Sequence, residues 1–232
     1  MSIHDLVADD QPDKFAFSSE NEALIKKIIA KYPEGKQASA VMPLLDLAQR
    51  QHDNWIPMSA IELIAERLDM AKIRVLEVAS FYTMYNLKPV GKYFFQLCGT
   101  TPCMLRGSDD LSRCVKDKLN ISSGEITPDG KFSILEVECL GACVNAPIVQ
   151  VNDDFYEDLD YDSMASLIDS FADDLPPPIG SVKCRSGSQA VTGPTSLTKL
   201  AKKRNVIKSS EKLKKESNSF SEHVRNRVNA SG

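Results

Sequence analysis

Between residues 19 and 90 the apolar positions recur with the period of a helix. Leu24, Ile25, Ile28 and Ile29 share one face. Ser18 or Ser19 stands at the expected N-cap, and Glu20 and Glu22 complement the first-turn dipole. Pro33-Glu34-Gly35 marks the stop. A second helix is expected from about Ala38 to His52, with Val41, Leu44, Leu45 and Ala48 inward. Ser59 is expected to cap a third, in which Ile61, Leu63, Ile64, Ala65 and Leu68 pack. A fourth starts near Ala71 and carries Ile73, Val75, Leu76, Val78 and Ala79 inward as far as Phe81-Tyr82. Four helices with short joints make a small bundle over residues 19–90. Trp55, Phe81, Tyr82 and Tyr85 are expected in its core, because they follow the same spacing.

At Pro89-Val90-Gly91 the period changes. Lys92 to Leu97 is aromatic and bounded by turn residues, the pattern of a buried strand. Met104 to Leu119 reads as one helix with Leu105, Leu111, Val115 and Leu119 recurring. Lys131 to Glu138 alternates like a strand, and Ile148 to Val151 with a turn at Asn152-Asp153-Asp154 predicts a closing hairpin. Asp160 to Phe171 reads as a last amphipathic helix, stopped by Pro176-Pro177-Pro178. The order βα followed by ββα points to a thioredoxin-like α/β domain over residues 91–178. The fold class is therefore α+β, a helical bundle followed by that domain. Residues 1–18 are expected to be a flexible N-terminus, and residues 179–232 a linker and a basic, largely disordered tail.

Composition leaves this picture standing. Of 232 residues, 42% are hydrophobic and 26% charged, which excludes collagen-like, purely coiled-coil and wholly disordered chains. The net charge of −4 hides a split. Residues 1–180 hold 16 Lys and Arg against 29 Asp and Glu, whereas residues 181–232 hold 12 against 3. The basic stretch is read as a solvated extension that could touch an acidic neighbour in an assembly, rather than as a nucleic-acid or lipid site. No stretch is long and apolar enough to span a bilayer. The first 15 residues, with four Asp and no Arg, resemble neither a secretory signal nor a mitochondrial presequence. The expectation is a protein kept in the compartment where it is made. Scattered glycines offer no dinucleotide-binding motif, and three histidines give little for acid–base catalysis. No independent catalytic residues are expected.

The chemistry lies in the cysteines. Cys98-x4-Cys103 follows the first predicted strand and Cys139-x3-Cys143 follows another, so the two loops can converge only if those strands are neighbours. Four thiolates at strand ends suit zinc or an iron–sulfur cluster, and the spacing alone does not choose between them. Both loops are built mostly of small residues without Asp, Glu or Lys, which predicts a dry shell with backbone N–H groups free to face sulfur. Cys114 falls among apolar helix positions and is expected to be a small buried hydrophobe. Cys184 reads as a linker thiol, and Pro147 as a turn residue and a candidate for a cis bond.

Three further segments carry a resemblance. Trp55-Ile-Pro57, Val75-Leu-Glu-Val-Ala-Ser-Phe-Tyr-Thr-Met84 and Cys139-Leu-Gly-Ala-Cys-Val-Asn-Ala-Pro147 stand beside the two cysteine loops. Together they resemble the thioredoxin-like [2Fe–2S] subunit family of NADH–quinone oxidoreductase, respiratory complex I, over roughly residues 20–175. Pro176-Pro177-Pro178, Cys184 and Thr195-Ser-Leu197 also resemble the tail of its mitochondrial and alphaproteobacterial branch. The resemblance implies one [2Fe–2S] cluster on Cys98, Cys103, Cys139 and Cys143. It also implies a larger partner subunit holding FMN and the NADH site, neither of which this chain would bind, and a place in the peripheral arm of the complex. That arm faces the bacterial cytoplasm or the mitochondrial matrix. There the cluster would store one electron from a flavin that receives two as hydride. A diaphorase subunit of a hydrogenase or formate dehydrogenase is the alternative within the same fold, and a zinc-stabilised interaction module is the alternative of another class.

Overall fold

The computed structural model describes residues 6–185 and residue 196. The expectations for the basic stretch beyond residue 185 lie outside the described residues. The chain divides into two compact units, Met1–Val90 and Gly91–Gly232.

The first unit contains α1 (Ser19–Ile29), α2 (Val41–Gln51), α3 (Met58–Arg67) and α4 (Lys72–Phe81). Ser18 is the N-cap of α1, and its hydroxyl accepts the Asn21 N–H at 3.2 Å. Ile25, Leu44, Leu45, Ile61, Ile64 and Val75 are fully buried and form the centre of the core. Three expectations fail here for identifiable reasons. Leu24 points outward, because Ile25 takes the central position of the α1 face. Ile73 lies in the open first turn of α4 between exposed Lys72 and Arg74. Ser59 is not the cap of α3. Pro57 holds that position, the Met58 N–H is accepted by Gln11 Oε1 at 2.9 Å, and the Ser59 hydroxyl is buried without a partner among the described residues.

The aromatic group also splits. Trp55 and Tyr85 are buried and Tyr85 OH donates to the Met42 carbonyl, whereas Phe81 is 76% exposed and Tyr82 also lies at the surface. At Tyr82 the backbone turns extended, so helical spacing no longer places the residues after it. The segment expected to be flexible also contributes contacts. Ala8 and Phe17 are buried, Val7 and Phe15 pack on the core, and Ala8 N–H donates to Leu87 O at 3.1 Å. These apolar residues are interspersed with Asp, so the segment's average polarity conceals them.

The second unit is a five-stranded mixed sheet in the order β2-β1-β3-β4-β5, a thioredoxin-like arrangement. Its strands are β1 (Tyr93–Cys98), β2 (Phe132–Val137), β3 (Ile148–Val151), β4 (Asp154–Glu157) and β5 (Gly180–Ser181). β1 runs parallel to β2 and antiparallel to β3. Tyr93, Phe95 and Leu97 alternate toward the helices, where Leu111, Cys114, Val115, Met164, Leu167 and Phe171 cover them. The single helix expected from Met104 is two, α5 (Thr101–Leu105) and α6 (Ser108–Leu119), broken at Gly107 with φ of +99°. The Asn152-Asp153 connection closes the β3–β4 hairpin as expected. α7 (Tyr161–Ala172) begins with a reciprocal capping box between Asp160 and Ser163. The expected linker contains β5, which pairs parallel with β4. Two residues show no alternation from which a strand could be read.

Two contacts govern how this unit closes. Gly91 donates to Ser133 Oγ at 3.0 Å, and a Cβ there would stand 2.6 Å from the Phe132 carbonyl carbon. Gly91→Ala is therefore expected to cost about 1–3 kcal/mol, read as a lower midpoint in urea unfolding. Asp174 accepts from Lys92 Nζ and Tyr93 OH, both at 2.6 Å, and from Lys131 Nζ at 3.0 Å. The Lys92 hydrogen bond, then those of Tyr93 and Lys131, hold its carboxyl well below the ordinary 3.8. A depressed carboxyl stabilises the fold above its unfolded pKa and loses that contribution as pH falls below it. The stability gap between the wild type and Asp174→Asn should thus be widest near neutral pH and shrink below about pH 4, in denaturant melts across that range.

Candidate metal centre

Strand order brings the cysteine loops together. β1 lies between β2 and β3, and Cys98 is its last residue, in register with Val137 of β2. Because β2 is parallel and β3 antiparallel to β1, the chain leaving β2 must pass across that same end of β1 to enter β3. This crossing segment carries Cys139 and Cys143. It includes a 3-10 turn over Cys143–Asn145 and a cis Ala146–Pro147 bond, as Pro147 suggested. Cys103 comes from α5, which starts immediately after β1 with Pro102 in its first turn.

Cys98, Cys103, Ala146 and Ile148 form a small buried cluster, with Leu140, Ala142 and Phe155 packed on it. Cys103 is wholly buried, whereas Cys139 is exposed and Cys143 half-buried. The Cys139 and Cys143 sulfurs lie 3.3 Å apart, and the Cys98 and Cys103 thiols are hydrogen-bonded to each other. Backbone N–H groups turn toward sulfur as the small-residue loops suggested. Gly141 N–H donates to Cys139 Sγ at 3.4 Å, and Leu140 N–H on the second loop reaches Cys98 on the first.

Electrostatics follow from this crowding. Burial works against the Cys98 thiolate, but hydrogen bonds from the Thr100 hydroxyl, the Thr100 and Leu140 backbones and the Cys103 thiol outweigh it, and the thiol is lowered. Burial, then the hydrogen bond and charge of Cys98, push Cys103 up to about 12. The hydrogen bond to Cys139, then burial and the charges of Cys139 and Cys98, raise Cys143. Thiolates this close repel one another within each couple and, more weakly, between the couples, and cations beside them would reverse that balance. Among the described residues, no group of three or more His, Cys, Asp or Glu side chains is gathered closely enough to hold one metal ion. Four Cys thiolates are donors that a two-iron core takes, two for each iron. The same four donors also suit one tetrahedral ion.

The shell is less dry than the loop sequences suggest. The Glu136 carboxylate, from neighbouring β2, occupies the space a Cβ on Gly99 would take. Sequence spacing missed it because the acid comes from outside both loops. Met104, Leu105 and Val144, each one or two residues after a site cysteine, leave apolar side chains exposed beside it. Cys114 lies in the sheet–helix core, as its apolar neighbours suggested, and burial pushes its thiol up to about 11. Cys184 sits half-buried just after β5 with φ of +56°.

Residues 25–172 match the family described as thioredoxin-like [2Fe-2S] ferredoxin. The NADH-quinone oxidoreductase E subunit of Rickettsia bellii (strain RML369-C) is 56% identical over 160 residues, covering 69% of this chain and 96% of that protein. The NADH dehydrogenase [ubiquinone] flavoprotein 2, mitochondrial, of Dictyostelium discoideum is 48% identical over 183 residues, covering 79% of this chain and 74% of that one. Among solved structures, an NAD+-reducing [NiFe]-hydrogenase in the air-oxidized state superposes with a TM-score of 0.52 at 19% identity. It covers 59% of this chain and 23% of the hydrogenase chain, and shows a shared fold.

The burial order of the thiols sets their reactivity in metal-free protein. With limiting iodoacetamide and peptide mass spectrometry, Cys139 is expected to alkylate first, and Cys103 and Cys114 only after denaturation. Early labelling of Cys103 would contradict the geometry.

Proposed function

The chain belongs to the thioredoxin-like [2Fe–2S] ferredoxin family, and from that premise we propose that it serves as an electron-transfer subunit of an NADH–quinone oxidoreductase. Cys98 and Cys103 would hold one iron of a [2Fe–2S] cluster and Cys139 and Cys143 the other. The observation that carries this reading is the passage of the Cys139–Cys143 segment across the end of β1, where its Leu140 and Ala142 pack on Cys98 and Cys103. A bound cluster of this type takes up and returns single electrons. The chain's own residues supply the thiolates and the backbone N–H groups of Leu140 and Gly141 that offset their charge. They also supply the small buried shell that shields the Cys98 and Cys103 side from water.

The exposed Cys139 and the apolar side chains of Met104, Leu105 and Val144 mark the face where an electron donor would dock. A partner subunit carrying FMN and the NADH site is the donor that a complex I subunit requires. Among the described residues, no helix is long and apolar enough to cross a membrane, consistent with a place in a peripheral arm facing the cytoplasm or the mitochondrial matrix. Relatives at 48% and 56% identity favour the respiratory assembly over a hydrogenase diaphorase, whose likeness stands at 19%. The family match likewise favours the iron–sulfur reading over zinc.

Protein purified aerobically should be reddish-brown and give an EPR signal after dithionite reduction. Cys139→Ser should damage the visible spectrum and Cys114→Ser should leave it intact. A colourless protein holding one equivalent of zinc, or identical spectra in both variants, would refute the assignment. Affinity capture of the chain from its own cells should recover an FMN-bearing subunit, and recovery of a hydrogenase instead would move the chain to the diaphorase class.

A further inference from the structure

We propose that Arg185 is a positioning residue for the second cysteine couple, acting through the Val144 carbonyl in a clamp built on buried Asp158. The proposal rests on the cluster reading above and adds a residue from the segment that sequence analysis assigned to a linker.

Asp158 is 1% exposed, with φ of +59°, between β4 and the cap of α7. A carboxylate in such a place needs charged or hydrogen-bonding partners. It has three bonds from the β5 segment: one from Ser181 Oγ, one from Arg185 Nε at 3.0 Å and one from Arg185 Nη2 at 2.6 Å. Ser181 is brought there by its pairing with Glu157. Its hydroxyl also accepts the N–H groups of Lys183 and Arg185, at 3.1 and 3.2 Å, which folds the chain back so that the guanidinium faces Asp158.

The clamp continues into the ligand loop. Arg185 Nη2 also donates to the Val144 carbonyl at 2.6 Å, and the Asp158 N–H donates to the Asn145 carbonyl at 2.7 Å. Val144 and Asn145 are the two residues directly after Cys143 and complete its 3-10 turn. The Val144 carbonyl is thus held by the Arg185 guanidinium and the Asn145 carbonyl by the Asp158 backbone, and neither group touches a thiol. Asn145 is fixed a second time, because its Nδ2 donates to Glu157 Oε2 at 2.5 Å. The guanidinium can do this because its planar fork reaches a carboxylate and a carbonyl at once, which a lysine ammonium on a flexible stem does not reproduce.

The test uses the full chain, wild type, Arg185→Ala, Arg185→Lys and Ser181→Ala, each purified with its metal. Three quantities are read: the rate of iron loss to a chelator, the EPR line shape after dithionite, and the alkylation rate of Cys143 in metal-free protein. The Arg185 side chain is 44% exposed but Asp158 is 1% exposed. Folding of each variant is therefore checked by circular dichroism, and Ser181→Ala keeps both charges as the second variant. Both Arg185 variants should release iron about tenfold faster than wild type, broaden the EPR lines and speed alkylation of Cys143 relative to Cys98. Ser181→Ala, which keeps both charges, should shift all three in the same direction by less. Full rescue by Arg185→Lys would make charge rather than positioning the operative property and overturn the proposal. Unchanged release, spectra and labelling in all three variants would overturn it as well. A wild type without iron would defeat the cluster reading instead, so the two failures are distinguishable.

Discussion

The strand order around β1 is the constraint on which the site depends. With β2 parallel on one side and β3 antiparallel on the other, the connection between those neighbours has to cross the end of β1 where Cys98 stands. Convergence of four cysteines from two distant parts of the chain is therefore a consequence of sheet topology. The loops meet where that crossing places them. They need only be short and built of small residues, so that backbone N–H groups can approach sulfur closely. The sheet–helix core of Phe95, Leu97, Val115, Leu167 and Phe171 keeps the strands in this order and so keeps the site assembled.

The geometry also gives the site two different sides. Cys98 and Cys103 face a buried apolar cluster, while Cys139 lies at the surface with Cys143 half-exposed beside it. A cluster held there, as proposed, would be insulated on one side and reachable on the other. The acidic excess belongs to residues 1–180, which contain the family match over residues 25–172, while the basic excess belongs to residues 181–232. Charge at the site itself is more local. Glu136 lies against Gly99, and Arg185 stands one residue removed from Cys143 by way of Val144.

Much of the fold was legible because it rests on periodic burial. Val41, Leu44, Leu45 and Ala48 form the inward face of α2, and Phe132, Ile134 and Ile148 are buried strand residues. The cysteine couples stood out because their spacing is local, and the neighbouring strands on which their convergence was made to depend are observed as parallel β1 and β2. What escaped was set by tertiary contact. Gln11 reaches the start of α3 from 47 residues away, so Ser59 looked like the cap. Gly107 breaks a helix through its backbone conformation while the apolar spacing runs on across it. Phe81 keeps helical spacing yet lies on the surface at the end of α4, and β5 is too short to alternate. Asp158 and Arg185 escaped because a charged residue in an acidic turn and another in a polar linker carry no sign of burial until they meet.

The central claim is that the two couples share one two-iron centre, and native mass spectrometry of the intact chain tests it most directly. The account predicts a mass increment equal to two irons and two sulfides on the wild type, lost in Cys98→Ser and kept in Cys114→Ser. A single zinc increment on the wild type, or an iron–sulfur increment that survives Cys98→Ser, would contradict it.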